Sequence, residues 1–300
     1  VGIISRTMFG VDLSQESQEA GKALTFTLKY ITDRSISILD LPPSIPTPTN
    51  LRFKKAIHTL DSLVYKVIDE RRSSHQDRDD LISRMLRVQD EETGARMDDA
   101  QIRNEVMTVF LAGHETTALA LTWTWYLLAG APEVEERLHV ELAEVLGGRE
   151  PTAQDLPKLV YTRMVIDESM RLYPPVWAIP RDALKDDVID GYHIPAGSMV
   201  LLSQYITHRH PDFWERPLEF DPERFSEERI TRQTRYAYFP FGGGPRVCIG
   251  NSFALMEMVT AVATIAQRYR LQMVPGCVVE PLSLGTLRPR YPVNMHVTAR

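Results

Sequence analysis

From Val106 to Leu128 the chain is apolar almost all the way round a helix, broken by His114, Glu115 and several threonines. Asp98 or Asp99 can open that helix, which makes it about thirty residues and, at 1.5 Å per residue, roughly 45 Å long. The length also fits a membrane span. Glu115 at the centre would be costly in lipid, and no other stretch of the chain is comparable. The segment therefore predicts a helix through the middle of a large core, and any fold must wrap it on every side.

The rest of the first half also reads as helix. Val1 to Met8 leads into a break at Gly10, and Ser14 caps a helix to about Arg34 with Glu16 and Glu19 in its first turns. Leu41–Asn50 carries four prolines and is expected to be extended. A basic helix follows from about Leu51, then a charged surface loop over 69–80 and a second charged stretch from Gln89 to Arg96. After Pro132, helices are expected over about Glu133–Leu146 and Lys158–Leu172, the second stopped by Tyr173-Pro174-Pro175. Val188-Ile189 and Tyr192–Ile194 flank an Asp190-Gly191 turn, and Met199–Leu202 reads as a further strand. Residues 207–247 read as a loop rich in Pro, Arg and aromatics, Asn251–Arg268 as a last helix, and Val278–Val297 as β-like with Pro interruptions. The fold class is mainly α with small β-sheets. No repeat or linker is evident, so one domain over 1–300 is expected.

Of the 300 residues, 43% are apolar and 25% charged, which suits a soluble globular protein. A net charge of −6 argues against a nucleic-acid partner. Two cysteines cannot build a disulfide framework, so a reducing, cytoplasmic setting is expected. Val1-Gly-Ile-Ile shows neither a signal peptide nor an initiator methionine. The natural start is therefore expected upstream, with a membrane anchor there left open.

Three constellations could carry chemistry. Cys248 ends the run Phe241-Gly-Gly-Gly-Pro-Arg-Val-Cys248, where successive glycines let backbone amides approach a ligand. A helix start just beyond it and Arg246 beside it favour a thiolate, the form that ligates metal or attacks substrate. The plain alternative is a structural cysteine beside a flexible loop. No Gly-Lys-Ser/Thr follows, so the glycines are not a Walker phosphate cradle. In the long helix, Ala112-Gly-His-Glu-Thr-Thr-Ala118 puts Gly113, Glu115 and Thr116 in apolar surroundings, either a polar notch facing a ligand or a helix–helix contact. Glu168 and Arg171, three apart, could be a surface pair or could join Arg224 in a buried network.

In chain order, Ala112–Thr117, Glu168 with Arg171, Pro222-Glu-Arg-Phe225 and Phe241–Gly250 resemble the signature of the cytochrome P-450 superfamily of haem-thiolate monooxygenases. The last segment matches the family's Phe-x-x-Gly-x-Arg-x-Cys-x-Gly pattern at every fixed position, with Phe241, Gly244, Arg246, Cys248 and Gly250. The resemblance implies a long central helix over haem b (iron protoporphyrin IX), with Cys248 as the axial thiolate and Phe241 shielding the sulfur. Gly242, Gly250 and Ala112 are further expected haem neighbours. Arg246 and Arg181 resemble the positions that pair with the propionates. Glu115 and Thr116 match the acid–alcohol pair that relays protons to oxygen, and Glu168, Arg171 and Arg224 the triad that fixes the core. Ala112, Thr116, Val176, Trp177, Ala178, Ile179, Leu284 and Gly285 fall where the family contacts substrate.

The activity implied is insertion of one oxygen atom from O2 into an apolar or amphipathic small molecule, fatty-acyl or terpenoid among the candidates. Electrons would come from NAD(P)H through a ferredoxin, a flavodoxin or a flavoprotein reductase, docking on positive charge at Arg246, Arg268 and Arg270. Alternatives on the same fold are an isomerase or dehydratase of oxygenated lipids, or a non-catalytic, truncated haem-binding remnant. Family members carry an N-terminal part ahead of Phe9-Gly10 that these residues do not include, so haem is expected to be exposed on one side. His114, His208 and His210 are left as structural or surface residues.

Overall fold

In the computed structural model the apolar segment is one helix, Asp99–Ala129. Residues 2–10, 17–35, 37, 41–73, 78 and 80–300 are described; Ser14 and Glu16, expected to open a helix, lie outside them. The chain divides into two compact units, residues 1–115 and 116–300, and the boundary falls within the long helix.

The first unit holds α1 (Gly2–Phe9), α2 (Ser17–Ser35), α3 (Pro48–Ser73), α4 (Leu81–Arg87) and the first half of the long helix, α5. Ala56, Leu60, Val67 and Ile68 recur at helical spacing on α3 and bury against Leu24, Ile82, Ile102, Val106 and Phe110. Two expectations are corrected. Helix α3 starts at Pro48, because proline in a first turn forfeits no hydrogen bond. Asn50 is then buried: its side chain accepts from Tyr30 Oη (2.7 Å) and donates to the Pro42 and Ile45 carbonyls (3.1 and 2.9 Å), tying down the proline-rich approach. The charged stretch 69–80 is not wholly a surface loop. Helix α3 runs to Ser73, and Arg71 Nε meets Asp80 Oδ2 at 2.8 Å with both side chains buried. Asp80 also caps α4 by accepting the Ser83 N–H. Residues 74–77 and 79 lie outside the described residues.

The second unit holds the rest of α5 with α6 (Pro132–Leu146), α7 (Val160–Leu172), α8 (Gln204–Thr207), α9 (Glu227–Ile230) and α10 (Asn251–Ala266). Leu138, Leu142 and Leu146 make the buried stripe of α6, which ends at Gly147 in the left-handed region (φ 57°). Helix α7 is buried at every residue from Met164 to Leu172. Its first amides find an acceptor on α6: Glu141 takes the Tyr161 and Thr162 N–H groups at 2.5 and 2.8 Å. Leu138, Leu159, Ile166 and Val262 anchor this core.

The strands are β1 (Ile179–Asp182), β2 (Asp187–Ile189), β3 (Tyr192–Ile194), β4 (Met199–Leu202), β5 (Tyr269–Met273), β6 (Pro281–Ser283), β7 (Leu287–Pro289) and β8 (Met295–Ala299). They pair antiparallel as β1·β4, β2·β3, β5·β8 and β6·β7. The β2·β3 turn has positive φ at both Asp190 (50°) and Gly191 (82°), which suits the twist of the hairpin. Helix α10 stops at Ala266, two residues short of the expected end at Arg268, and β5 follows in a stretch where no strand was expected. Among the described residues no helix is long and apolar enough to cross a membrane.

Candidate functional site

Residues 239–250 fold back on themselves so that Cys248 stands just ahead of α10. The Cys248 N–H donates to the Phe241 carbonyl and the Gly242 N–H to the Phe239 carbonyl, both at 2.9 Å. Gly242 (φ 74°) and Gly244 (φ 67°) make the turns that this requires. Gly242 is also tightly placed, since a Cβ there would lie 3.3 Å from Ile179 Cδ1 on β1. A Cβ at Gly250 would lie 3.9 Å from Cys248 Sγ, an ordinary van der Waals contact, so this position sits directly beside the sulfur. The first amides of the sixteen-residue α10 set partial positive charge beside the loop. Cys248 is exposed and unpaired. On either side of it Val247 is 49% and Ile249 98% exposed. Aliphatic side chains left in water beside a thiol suit a flat apolar partner that covers them.

Arg181 lies on β1 and Arg246 ends the short turn Gly244–Arg246; both are exposed. Neither forms an ion pair among the described residues, and Arg181 donates only to the Pro180 carbonyl (2.8 Å). Both guanidiniums are therefore open to carboxylates from outside the chain. At Arg268 and Arg270, expected to carry docking charge, Arg268 pairs with Glu150 (3.1 Å), and Arg270 with Glu135 (3.0 Å) and Glu136 (3.8 Å). Nearby carboxylates already meet that charge.

The segments expected to line a substrate pocket are neighbours. Trp177 donates its indole N–H to the Leu284 carbonyl at 2.7 Å, and the Leu287 N–H reaches the Pro175 carbonyl at 2.8 Å. Trp123 on α5 holds the same hairpin through the Leu287 carbonyl (3.0 Å). Val176, Trp177, Ala178, Ile179 and Leu284 are half-buried and Gly285 is exposed. On α5, Ala112 is exposed, while Glu115 and Thr116 are half-buried. Gly113 is half-buried and closely packed. A Cβ there would collide with Ile4 Cδ1, so this glycine lets α1 approach α5.

Glu168, Arg171 and Arg224 meet in one buried network. Arg171 Nε and Nη2 make a bidentate pair with Glu168 at 2.6 and 2.8 Å, and Arg224 Nε approaches the same carboxylate at 3.3 Å. The Asp221 N–H adds a further bond (2.9 Å). Arg171 also donates to the carbonyls of His208, Pro217 and Glu219 at 2.7–3.0 Å. Burial pushes the Glu168 carboxyl up against the pull of Arg171. His208, left as structural or surface on sequence grounds, is fully buried, and its Nε2 accepts the Phe239 N–H at 2.9 Å. Nothing in Thr207-His-Arg-His210 signalled this, because the bond joins residues thirty-one apart through an irregular segment.

The Cytochrome P450 family pattern matches residues 1–296. Cyclooctatin synthase of Streptomyces melanosporofaciens is 40% identical over 293 residues, covering 95% of the chain and 64% of that protein. Cyclooctat-9-en-7-ol 5-monooxygenase of the same organism is 42% identical over 275 residues, covering 91% and 60%. The chain thus spans less than two thirds of the length of these two relatives. The crystal structure of the cytochrome P450DA heme domain superposes with a TM-score of 0.91 at 31% identity, covering 100% of the chain and 66% of that structure. With a cysteine loop, a buried Glu–Arg network and a helical architecture that agree with this pattern over nearly its whole length, the chain belongs to the cytochrome P450 family.

Proposed function

We propose that the chain is the haem-binding portion of a monooxygenase that inserts one oxygen atom from O2 into an apolar terpenoid. The observation that carries this reading is the cysteine loop: one thiol between hydrogen-bonded turns, open to solvent beside aliphatic side chains. Among the described residues no three metal-ligating side chains come together, so iron at Cys248 needs its other ligands from a macrocycle. Haem is the cofactor that fits, and when bound it supplies O2 activation, with thiolate donation favouring O–O cleavage.

The chain's own residues then divide the work. Cys248 Sγ would hold the iron, with Phe241 shielding the sulfur and Gly250 beside it. Arg181 and Arg246 offer unpaired guanidiniums to the propionates, whose geometry they match. The Glu115 carboxyl takes up protons and the Thr116 hydroxyl hands them on, the role of a general acid and its relay. Trp177 and Leu284 fix two segments that face substrate. The buried Glu168, Arg171 and Arg224 touch neither substrate nor cofactor; they hold the fold that accepts haem.

The names of the relatives favour the terpenoid over the fatty-acyl class: one is a monooxygenase of a cyclic alkenol, and another, 35% identical over 301 residues, is the pentalenene oxygenase of Streptomyces avermitilis. The half-buried aliphatic side chains at Val176, Ile179 and Leu284 suit such a substrate. Electrons come from NAD(P)H through a ferredoxin, a flavodoxin or a flavoprotein reductase. Cys248→Ala is expected to abolish the thiolate-haem absorbance band that moves when the reduced protein takes up CO. A Cys248→Ala chain that keeps that band and its shift overturns the reading.

A further inference from the structure

His208 is a buried polar group to which the proposed chemistry gives no task. Its side chain and its carbonyl join two parts of the second unit. The carbonyl accepts from Arg171 Nη1 at 2.8 Å, within the Glu168 network. The imidazole Nε2 accepts the Phe239 N–H at 2.9 Å. Phe239 in turn accepts the Gly242 N–H, and Phe241 accepts the Cys248 N–H, both at 2.9 Å. A run of bonds along the chain thus leads from the buried ion pair to the sulfur-bearing residue. The rings of Tyr238 and Phe239, with centroids 5.2 and 5.3 Å away, pack against the imidazole, the second edge-on. Only an unprotonated ring nitrogen can accept from an amide. Burial keeps the ring in that form, holding its pKa down to about 3, while Nδ1 lies near the Met170 and Arg171 carbonyls without a well-directed bond to either.

We propose that His208 is a positioning residue for the cysteine loop: its Nε2 pins the Phe239 amide and so fixes the turn that presents Cys248 as a thiolate ligand. The inference rests on the reading of Cys248 as the haem ligand and adds a named support to it.

The test compares His208→Phe, which keeps the ring volume but has no acceptor, with His208→Gln, whose side-chain oxygen reaches the Nε2 position. Val262→Ala, a cavity in α10 away from the pin, controls for general destabilisation. Amide exchange in the chain and the CO-difference spectrum of its haem-loaded, reduced form are both read. His208→Phe is expected to speed exchange at Phe239, Gly242 and Cys248 by about tenfold or more, since the half-buried Phe239 amide loses its partner. It is also expected to move the CO band from the thiolate position to that of a neutral thiol. His208→Gln should restore both. Unchanged exchange and an unchanged band in His208→Phe overturn the proposal, as does the same local pattern in Val262→Ala. Should His208→Phe fail to fold, nitrogen–nitrogen coupling between the Phe239 amide and His208 Nε2 in the wild type decides instead, and its absence overturns the pin. If the wild type takes up no haem, the ligand reading of Cys248 falls, while the exchange pattern still decides whether His208 holds the loop.

Discussion

Gly113 shows how much a single atom can decide. Alanine at a helix interior is worth about 1 kcal/mol over glycine, yet here the added Cβ meets Ile4 Cδ1, in a core where Ile4 is 3% exposed. Crowding a packed contact costs about 1–3 kcal/mol, so Gly113→Ala is expected to lose roughly 1 kcal/mol net in urea unfolding. Ile4→Val removes the colliding atom, and the double variant should regain most of that loss. A purely additive double variant would count against the contact. At this scale the sequence was uneven in what it disclosed. Phe241, Gly244, Arg246, Cys248 and Gly250 were legible together because they stand at the fixed spacing of one family pattern. Glu168 and Arg171 were ambiguous, since a pair three apart looks alike on a wet surface and in a core; only burial separates the two. His208 gave no sign at all, because its partner lies across an irregular loop.

Between elements, one carboxylate adds a polar tie to the apolar packing of α6 on α7. Helix α7 begins without a side-chain cap of its own, and Glu141 takes two of its first amides and the Thr162 hydroxyl (2.7 Å). An anion at a helix start is also favoured by the dipole. Glu141→Ala is therefore expected to cost about 1–2 kcal/mol and Glu141→Gln less, measured by denaturant unfolding. Equal loss in both variants would show that charge, not acceptor geometry, makes the tie. Long periodic helices were readable in the sequence to within a residue or two: Asp99–Ala129, Pro132–Leu146 and Asn251–Ala266. Helix ends were less so. Pro48 was taken as a breaker although first turns tolerate proline. Residues 69–73 looked like a solvated charge run until Asp80 gave Arg71 a buried partner. Strand β5 was hidden because five residues just after a helix carry too little alternation to announce a strand.

For the molecule as a whole, buried imidazoles contribute to the response to acid, His139 and His208 most strongly. His139 is 3% exposed with both ring nitrogens unpartnered, and burial holds its pKa down to about 4 from the usual 6.5. His208 is held down to about 3. In the unfolded chain both take protons as the pH falls through 6.5, while in the folded chain they do so only near 4 and 3. Stability should therefore fall from about pH 6.5 downward, by up to about 1.4 kcal/mol per pH unit for each ring. Asp167 and Glu168 act in the opposite sense: burial raises both, so their contribution is present at low pH and lost as pH rises through their folded values. Urea midpoints between about pH 7 and 5 should drop in the wild type and drop less in His139→Gln. An unaltered slope in that variant would clear His139 of the effect.

The pairing of strands has a consequence for handling the chain. With only two strands per described sheet, every strand is an edge strand with an outer backbone row, although at Leu287 in β7 the Pro175 carbonyl and the Trp123 indole satisfy the outer amide and carbonyl. Proline blunts that row at Pro180 in β1, Pro281 in β6 and Pro289 in β7. Strand β4 has no such guard, and Met199, Leu201 and Leu202 lie open to water along it. It is the adhesive seam of these 300 residues, where concentrated solutions should first stick together.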